Sequence, residues 1–264
     1  MNFIAVEPVV GRVRGLSELE KSSIDLGVEG KAMWSVDVHE ENPRSRDPRR
    51  PARGVIRTED GHKVLAVFIV VEPFDNGARP VVEVCLRSDR PHEVCLRVFA
   101  AAGGKPMRSC ILTATMGNYA RLRRLYLKDR VEESRRVYDP FKPVIAGFAA
   151  HRQWGISEML VRDRQAVVAA TPDEPDPASA HYDADVAPFW HYRGVRATQY
   201  WRAPVRPGLV VRVNGRRTYW ASQAAIPGGV AYENFELEAP FQPGQEFDFG
   251  IRPGTPASLG FPLP

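Results

Sequence analysis

Apolar positions along the chain recur every second residue or gather in short β-branched runs, and turn residues divide them at intervals of roughly 8–12 residues. Residues 63–72 form a continuous β-branched run, bounded by Asp60-Gly61 before it and by a Pro-Phe-Asp-Asn-Gly stretch after it. Residues 80–87 and 92–100 follow, with Arg87-Ser88-Asp89-Arg90-Pro91 as the turn between them. Val82, Val84 and Leu86 alternate with Glu83, Cys85 and Arg87, which is the two-residue period of a half-buried strand. A Gly103-Gly104-Lys105-Pro106 turn and a strand over 108–116 come next. Near the C-terminus, 209–213, Asn214-Gly215 and 216–221 predict a β-hairpin around a favoured turn dipeptide. Strands are also predicted over 3–10, 32–38, 232–238 and 246–251.

Three stretches break this texture. Residues 40–53 hold three prolines and five arginines without apolar periodicity, and read as an exposed, mobile loop. Residues 171–177 (Thr-Pro-Asp-Glu-Pro-Asp-Pro) read as a rigid acidic loop, and 157–161 as a short helix. In 118–138, Leu122, Leu125 and Tyr126 suit a helical stripe, whereas Leu125 and Leu127 share one face of a strand. The surrounding strands favour the second reading. The expected fold is all-β: one antiparallel β-sandwich domain over 1–264, jelly-roll-like, with few short helices.

Composition narrows this further. With 23 prolines in 264 residues, long helices have little room. The basic residues are 30 Arg and 6 Lys, and the formal net charge is only +4. Residues 1–150 carry 25 basic against 20 acidic groups, so any anion site is local rather than a property of the whole surface. Three cysteines (Cys85, Cys95, Cys110) are too few for a disulfide framework, and the first two sit in apolar runs as small core residues. No N-terminal signal segment or membrane-length apolar run is present, so the chain as given is expected to be soluble and cytoplasmic, or secreted if a leader has been removed.

The densest chemistry lies in 181–202, which holds two tryptophans, three tyrosines, two histidines and three arginines. Flat rings beside arginines are what a cleft for an acidic saccharide needs: ring faces take the apolar side of a pyranose, and guanidinium forks take carboxylates. Trp190, Tyr192, Arg193, Trp201 and Arg202 are the expected ligand-binding residues. Eliminative cleavage of a uronate polymer adds a proton-transfer group and a charge stabiliser, for which His191, Arg196 and Tyr200 are the candidates. Hydrolysis requires two carboxylates across a cleft, and Glu233 and Glu236 are out of phase on one strand. The residue types therefore fit elimination better. Rings and arginines alone describe a non-catalytic binding module equally well.

The same stretch offers a metal set, His181, Asp183, Asp185 and His191, if the segment is extended. Asp173, Glu174 and Asp176 offer oxygens to Ca²⁺. No motif calls for a cofactor, and nucleophile elbows, phosphate loops and dinucleotide fingerprints are absent. The main rival reading is nucleic-acid binding through 119–138, where Arg121, Arg123, Arg124, Lys128, Arg130, Arg135 and Arg136 interleave with Tyr119, Tyr126 and Tyr138. A structural or interaction domain is the third. A sandwich of this size resembles, in general architecture, the jelly rolls of lectins and polysaccharide-active enzymes, which implies a saccharide partner by analogy.

Overall fold

The computed structural model describes residues 3–8, 17–18, 33–37, 52–71, 73–74, 77–114, 119–145, 147–188, 191–220 and 222–262. The fold is all-β, 51% strand and 7% helix, and its large antiparallel sheets pack as a sandwich. The chain clusters into two compact units, one of Asn2–Leu112 and Glu238–Phe249, the other of Thr113–Leu237 and Gly250–Pro264. We call them the N-terminal and C-terminal units. The predicted loop at 40–53 lies outside the described residues except for Ala52 and Arg53.

The N-terminal unit contains β1 (Phe3–Pro8), β2 (Ser17–Glu18), β3 (Met33–Val36), β4 (Val55–Glu59), β5 (His62–Val71), β6 (Pro80–Arg87), β7 (Glu93–Ala100) and most of β8 (Met107–Ala114). β5, β6 and β7 pair antiparallel in series, and β3 and β4 both pair with β5. Register brings Ala66, Cys85 and Cys95 onto one face, where they close a small core with Val64. All three thiols are buried, as the apolar runs around Cys85 and Cys95 predict for those two.

The alternation in β6 is real, but its charged side is the buried one. Glu83 and Arg87 are 2% and 9% exposed, whereas Leu86 is 50% exposed. The reason is a lattice of ion pairs on the cysteine face. Glu59 accepts hydrogen bonds from Arg57 (2.5 Å) and from both terminal nitrogens of Arg97 (3.1 and 2.8 Å), while Arg57 also meets Glu83. Arg97 continues to Glu246 at 3.0 Å, and Arg90 reaches Asp248 at 3.2 Å. Buried charges persist in this way only when paired and hydrogen-bonded.

The hydrogen bond from Arg97, with a smaller contribution from Arg57 and against the opposing pull of burial, lowers the Glu59 carboxyl from its ordinary 4.5 to about 2. A depressed carboxyl contributes stability that is fully present above its unfolded value and is lost as pH falls through its folded value. The urea midpoint should therefore decline between pH 4.5 and about 2. Glu59→Gln should flatten that part of the profile. An unchanged slope in the variant would show that the lattice contributes nothing to acid sensitivity.

The C-terminal unit contains β9 (Leu122–Tyr126), β10 (Val131–Glu133), α1 (Ser134–Val137), β11 (Pro143–Ile145), β12 (Phe148–Ala149), β13 (Arg152–Gly155), β14 (Leu160–Arg162), β15 (Gln165–Pro172), β16 (Ala197–Pro204) and β17 (Val210–Arg216). β18 (Ala231–Pro240) and β19 (Gln245–Pro253) carry the chain through both units. The strand reading of 118–138 agrees with β9 and β10, followed by the single turn of α1. The helix expected at 157–161 is one 3₁₀ turn over Ile156–Glu158.

Asn214-Gly215 is not a hairpin turn. β17 runs straight through it, and β13 pairs with β17 from Arg152↔Val213 to Gly155↔Val210. Asn214 is 4% exposed and its Oδ1 accepts the Asn234 N–H at 3.0 Å, so the side chain serves the neighbouring strand. A Cβ at position 215 would stand 3.0 Å from Tyr138 Cε2 and 3.1 Å from the Ala231 carbonyl. Glycine is there for close approach rather than for a turn.

Candidate functional site: a ring and arginine cluster

Two of the residues expected to line a cleft are interior. Tyr200 and Trp201, neighbours in β16, are 1% and 0% exposed. Tyr200 packs with Tyr126, Val167, Ala169 and Phe261, and Trp201 donates Nε1–H to the Phe235 carbonyl at 2.8 Å. Successive residues point to opposite sides of a strand, so both faces of β16 are covered. That corrects the placement of Tyr200 and Trp201 on an open saccharide surface. Arg196 precedes the strand, and its carbonyl accepts the Gly254 N–H at 3.1 Å. Arg202 is half-buried in β16 and Arg193 is exposed. Trp190 lies outside the described residues.

His181, Asp183 and Asp185 are not extended. The Val186 N–H closes a turn onto the Asp183 carbonyl at 3.0 Å. Asp185 accepts from the Ser222 hydroxyl at 2.9 Å and the Gln223 N–H at 3.1 Å, and the Ser222 bond holds its carboxyl below the usual range. His191 Nε2 lies 2.9 Å from the Val186 carbonyl, which can only accept, so that nitrogen carries the hydrogen. Among the described residues, the one gathering of three ligand atoms within 4.8 Å is Cys95, Glu246 and Asp248 in the N-terminal unit. Arg97 and Arg90 already occupy its carboxylates. That possible metal set is therefore not assembled among the described residues.

A different cluster is assembled in the C-terminal unit. The Tyr182 and His191 rings stack at 4.3 Å with 6° between planes. Tyr182 also lies 5.2 Å from Tyr219, which stacks on Tyr119 at 5.3 Å. The Tyr119 hydroxyl donates to the Trp220 carbonyl. Trp220 in turn lies 5.7 Å from Phe148, and the Arg216 guanidinium sits over both rings at 5.0 and 4.7 Å. Tyr182 and Trp220 are half-buried and pack on one core of Tyr119, Val186, Tyr219, Ala224, Ile226 and Ala231. Tyr192 joins by donating its N–H to the Tyr182 hydroxyl at 3.0 Å.

Arg121 holds this cluster from below. It is fully buried, with a left-handed φ of 50° just before β9, a conformation uncommon for residues other than glycine. Its Nε reaches both oxygens of Glu174 at 2.8 and 2.7 Å, Nη1 donates to the Tyr182 hydroxyl at 3.2 Å, and Nη2 donates to the Pro177 carbonyl at 2.7 Å. Arg123 takes Asp173 at 2.8 Å and Glu174 at 3.0 Å, and Arg135 also meets Asp173. Burial raises the Glu174 carboxyl, yet the bonds from Arg121 and Arg123 outweigh it and leave a net downward shift. Burial pushes the Tyr119 and Tyr219 phenols up and the Arg216 guanidinium down.

Asp173 and Glu174 are engaged by arginines rather than left to a cation. Tyr119, Tyr126 and Tyr138 are buried and Arg121 and Arg123 are paired internally, while Lys128, Arg130, Arg135 and Arg136 of the same stretch are exposed. The sequence reading passed over Tyr219, Trp220, Arg216 and Phe148. An Arg-Arg-Thr-Tyr-Trp run was the signal available, masked by the assumption that Asn214-Gly215 turned the chain. Among the described residues, no helix is long and apolar enough to cross a membrane. No protein-family model and no curated protein matches the chain.

Proposed function

We propose that this protein binds an acidic saccharide on the ring patch of its C-terminal unit. The observation that carries the reading is the Tyr182–His191 stack, half-exposed and anchored by Arg121, with half-exposed Trp220 on the same core. An aromatic ring at a partly wet surface suits the apolar side of a sugar ring. The rings are fixed before any ligand arrives, which cuts the ordering cost of binding. Exposed Arg193, two residues beyond His191, supplies a guanidinium for a carboxylate.

Titration calorimetry against uronate and neutral oligosaccharides tests this. Uronate oligomers should bind, Trp220→Ala should weaken binding by about tenfold or more, roughly 1.4 kcal/mol, and Arg193→Ala should erode the preference for uronate over neutral sugars. Binding of single-stranded DNA or RNA with a steep salt dependence, without any saccharide binding, would instead support the nucleic-acid reading.

A further inference from the structure

Away from the ring patch, the C-terminal unit holds a second group of polar side chains. His151 immediately precedes β13, and its Nε2 lies 3.3 Å from Oε1 of Glu236 in β18. The Thr113 hydroxyl donates to the same oxygen at 3.4 Å, and Arg212 Nε of β17 stands 3.5 Å from the other oxygen. Glu236 is 4% exposed, whereas the His151 side chain is 34% exposed. The pair thus joins an interior carboxylate to an imidazole that reaches solvent.

The chemistry of the partners decides the proton positions. An ionised carboxylate only accepts, so the hydrogen of a neutral His151 sits on Nε2 and the lone pair on Nδ1. Arg212 already gives Glu236 a cation, so the carboxylate does not require a protonated imidazole. A base held by a hydrogen bond to a buried orienting group is the arrangement that proton abstraction uses.

Position links this group to the ring patch. Arg212 and Arg216 lie four residues apart in β17, about 13 Å at roughly 3.3 Å per residue. Arg212 faces Glu236, while Arg216 covers Phe148 and Trp220, and Phe148 is three residues before His151.

We infer that His151 is the proton acceptor of a uronate elimination and that Glu236 is its positioning residue; this rests on the saccharide reading above. Nδ1 takes the proton on the carbon next to the uronate carboxylate (C5). The electron pair forms the C4–C5 double bond, the C4–O glycosidic bond breaks, and the departing oxygen takes a proton from water. No oxidant or reductant is involved. This assigns the proton transfer to a histidine other than His191, whose Nε2–H is held by a neutral backbone carbonyl rather than by a carboxylate.

The test incubates the full chain with alginate, polygalacturonate and hyaluronan. It follows ultraviolet absorbance of the unsaturated uronate, with calorimetric binding measured in parallel. Product should form, and His151→Ala should lower turnover by at least about 100-fold, with the loss in kcat rather than KM and partial recovery on adding free imidazole. Glu236→Gln should lower kcat and weaken the Nε2–H tautomer preference seen by nitrogen-15 NMR of His151. Its circular dichroism shows whether the variant folds, and the wild-type tautomer reads the same interaction without any substitution. Binding without product, full activity in His151→Ala, or an Nδ1–H tautomer in the wild type would each overturn the inference and leave the binding reading intact. No binding by any of the three polymers would sink both.

Discussion

Replacing Trp201 with alanine should lower the stability of this protein by about 3–5 kcal/mol, the cost of deleting a large buried aromatic side chain. Trp201 is 0% exposed, and its Nε1–H is the donor to the Phe235 carbonyl at 2.8 Å. The substitution removes apolar contacts and leaves a cavity, and it also takes that donor away from an interior carbonyl. Chemical denaturation measures the change. The result also separates two roles for one residue. A tryptophan displayed for a sugar would cost little stability and much affinity, so a loss below about 1 kcal/mol would contradict the interior placement.

Arg121→Met should cost about 1–3 kcal/mol, because a fully buried guanidinium is lost and its acceptors are left short of donors. Arg121 is 0% exposed and donates to Glu174, Tyr182 and Pro177. Methionine keeps much of the volume while the Glu174 carboxylate loses its closest cation. Arg123 still reaches Glu174 at 3.0 Å, so the double variant with Glu174→Gln should be less destabilised than the two single changes added together. The pH profile offers a second check. The Glu174 carboxyl is shifted downward, so its pairing contributes fully above the ordinary carboxylate range and fades as pH falls through the lowered value. In Arg121→Met that fading should shrink. Additive single effects would show that Arg121 and Glu174 are not coupled. Since Arg121 also holds Tyr182, the variant should lose saccharide affinity as well.

The proposed saccharide patch uses only part of the stretch between His181 and Arg202 in which rings and arginines are dense. Tyr182, His191 and Tyr192 stay at the surface, while Tyr200 and Trp201 go inside. Their partners come from elsewhere in the chain: Tyr119 and Arg121 before β9, and Arg216, Tyr219 and Trp220 at and after the end of β17. Residue type was readable at each of these positions. Which ones would meet was not.

By itself, the sequence determined what depends on neighbours along the chain. Alternating and β-branched runs specify β5, β6 and β7 close to their observed limits, since a strand's period and its turn residues are local properties. The cysteines in the core and the scarcity of helix follow from the same local signals. Tertiary structure decided whatever depends on which strands stack. An alternating pattern shows that a strand has two sides, but not whether one or both are covered, so β16 buries Tyr200 and Trp201 alike and β6 buries its charged side. A turn dipeptide favours a turn only when no neighbouring strand needs it, and Asn214-Gly215 serves Asn234 and a close backbone approach instead. Arg121 finds Glu174 across 53 residues, and His151 finds Glu236 across 85. Such pairs carry no local signature, because a charge's partner is set by the folded path of the chain and by the cost of leaving it unpaired once buried.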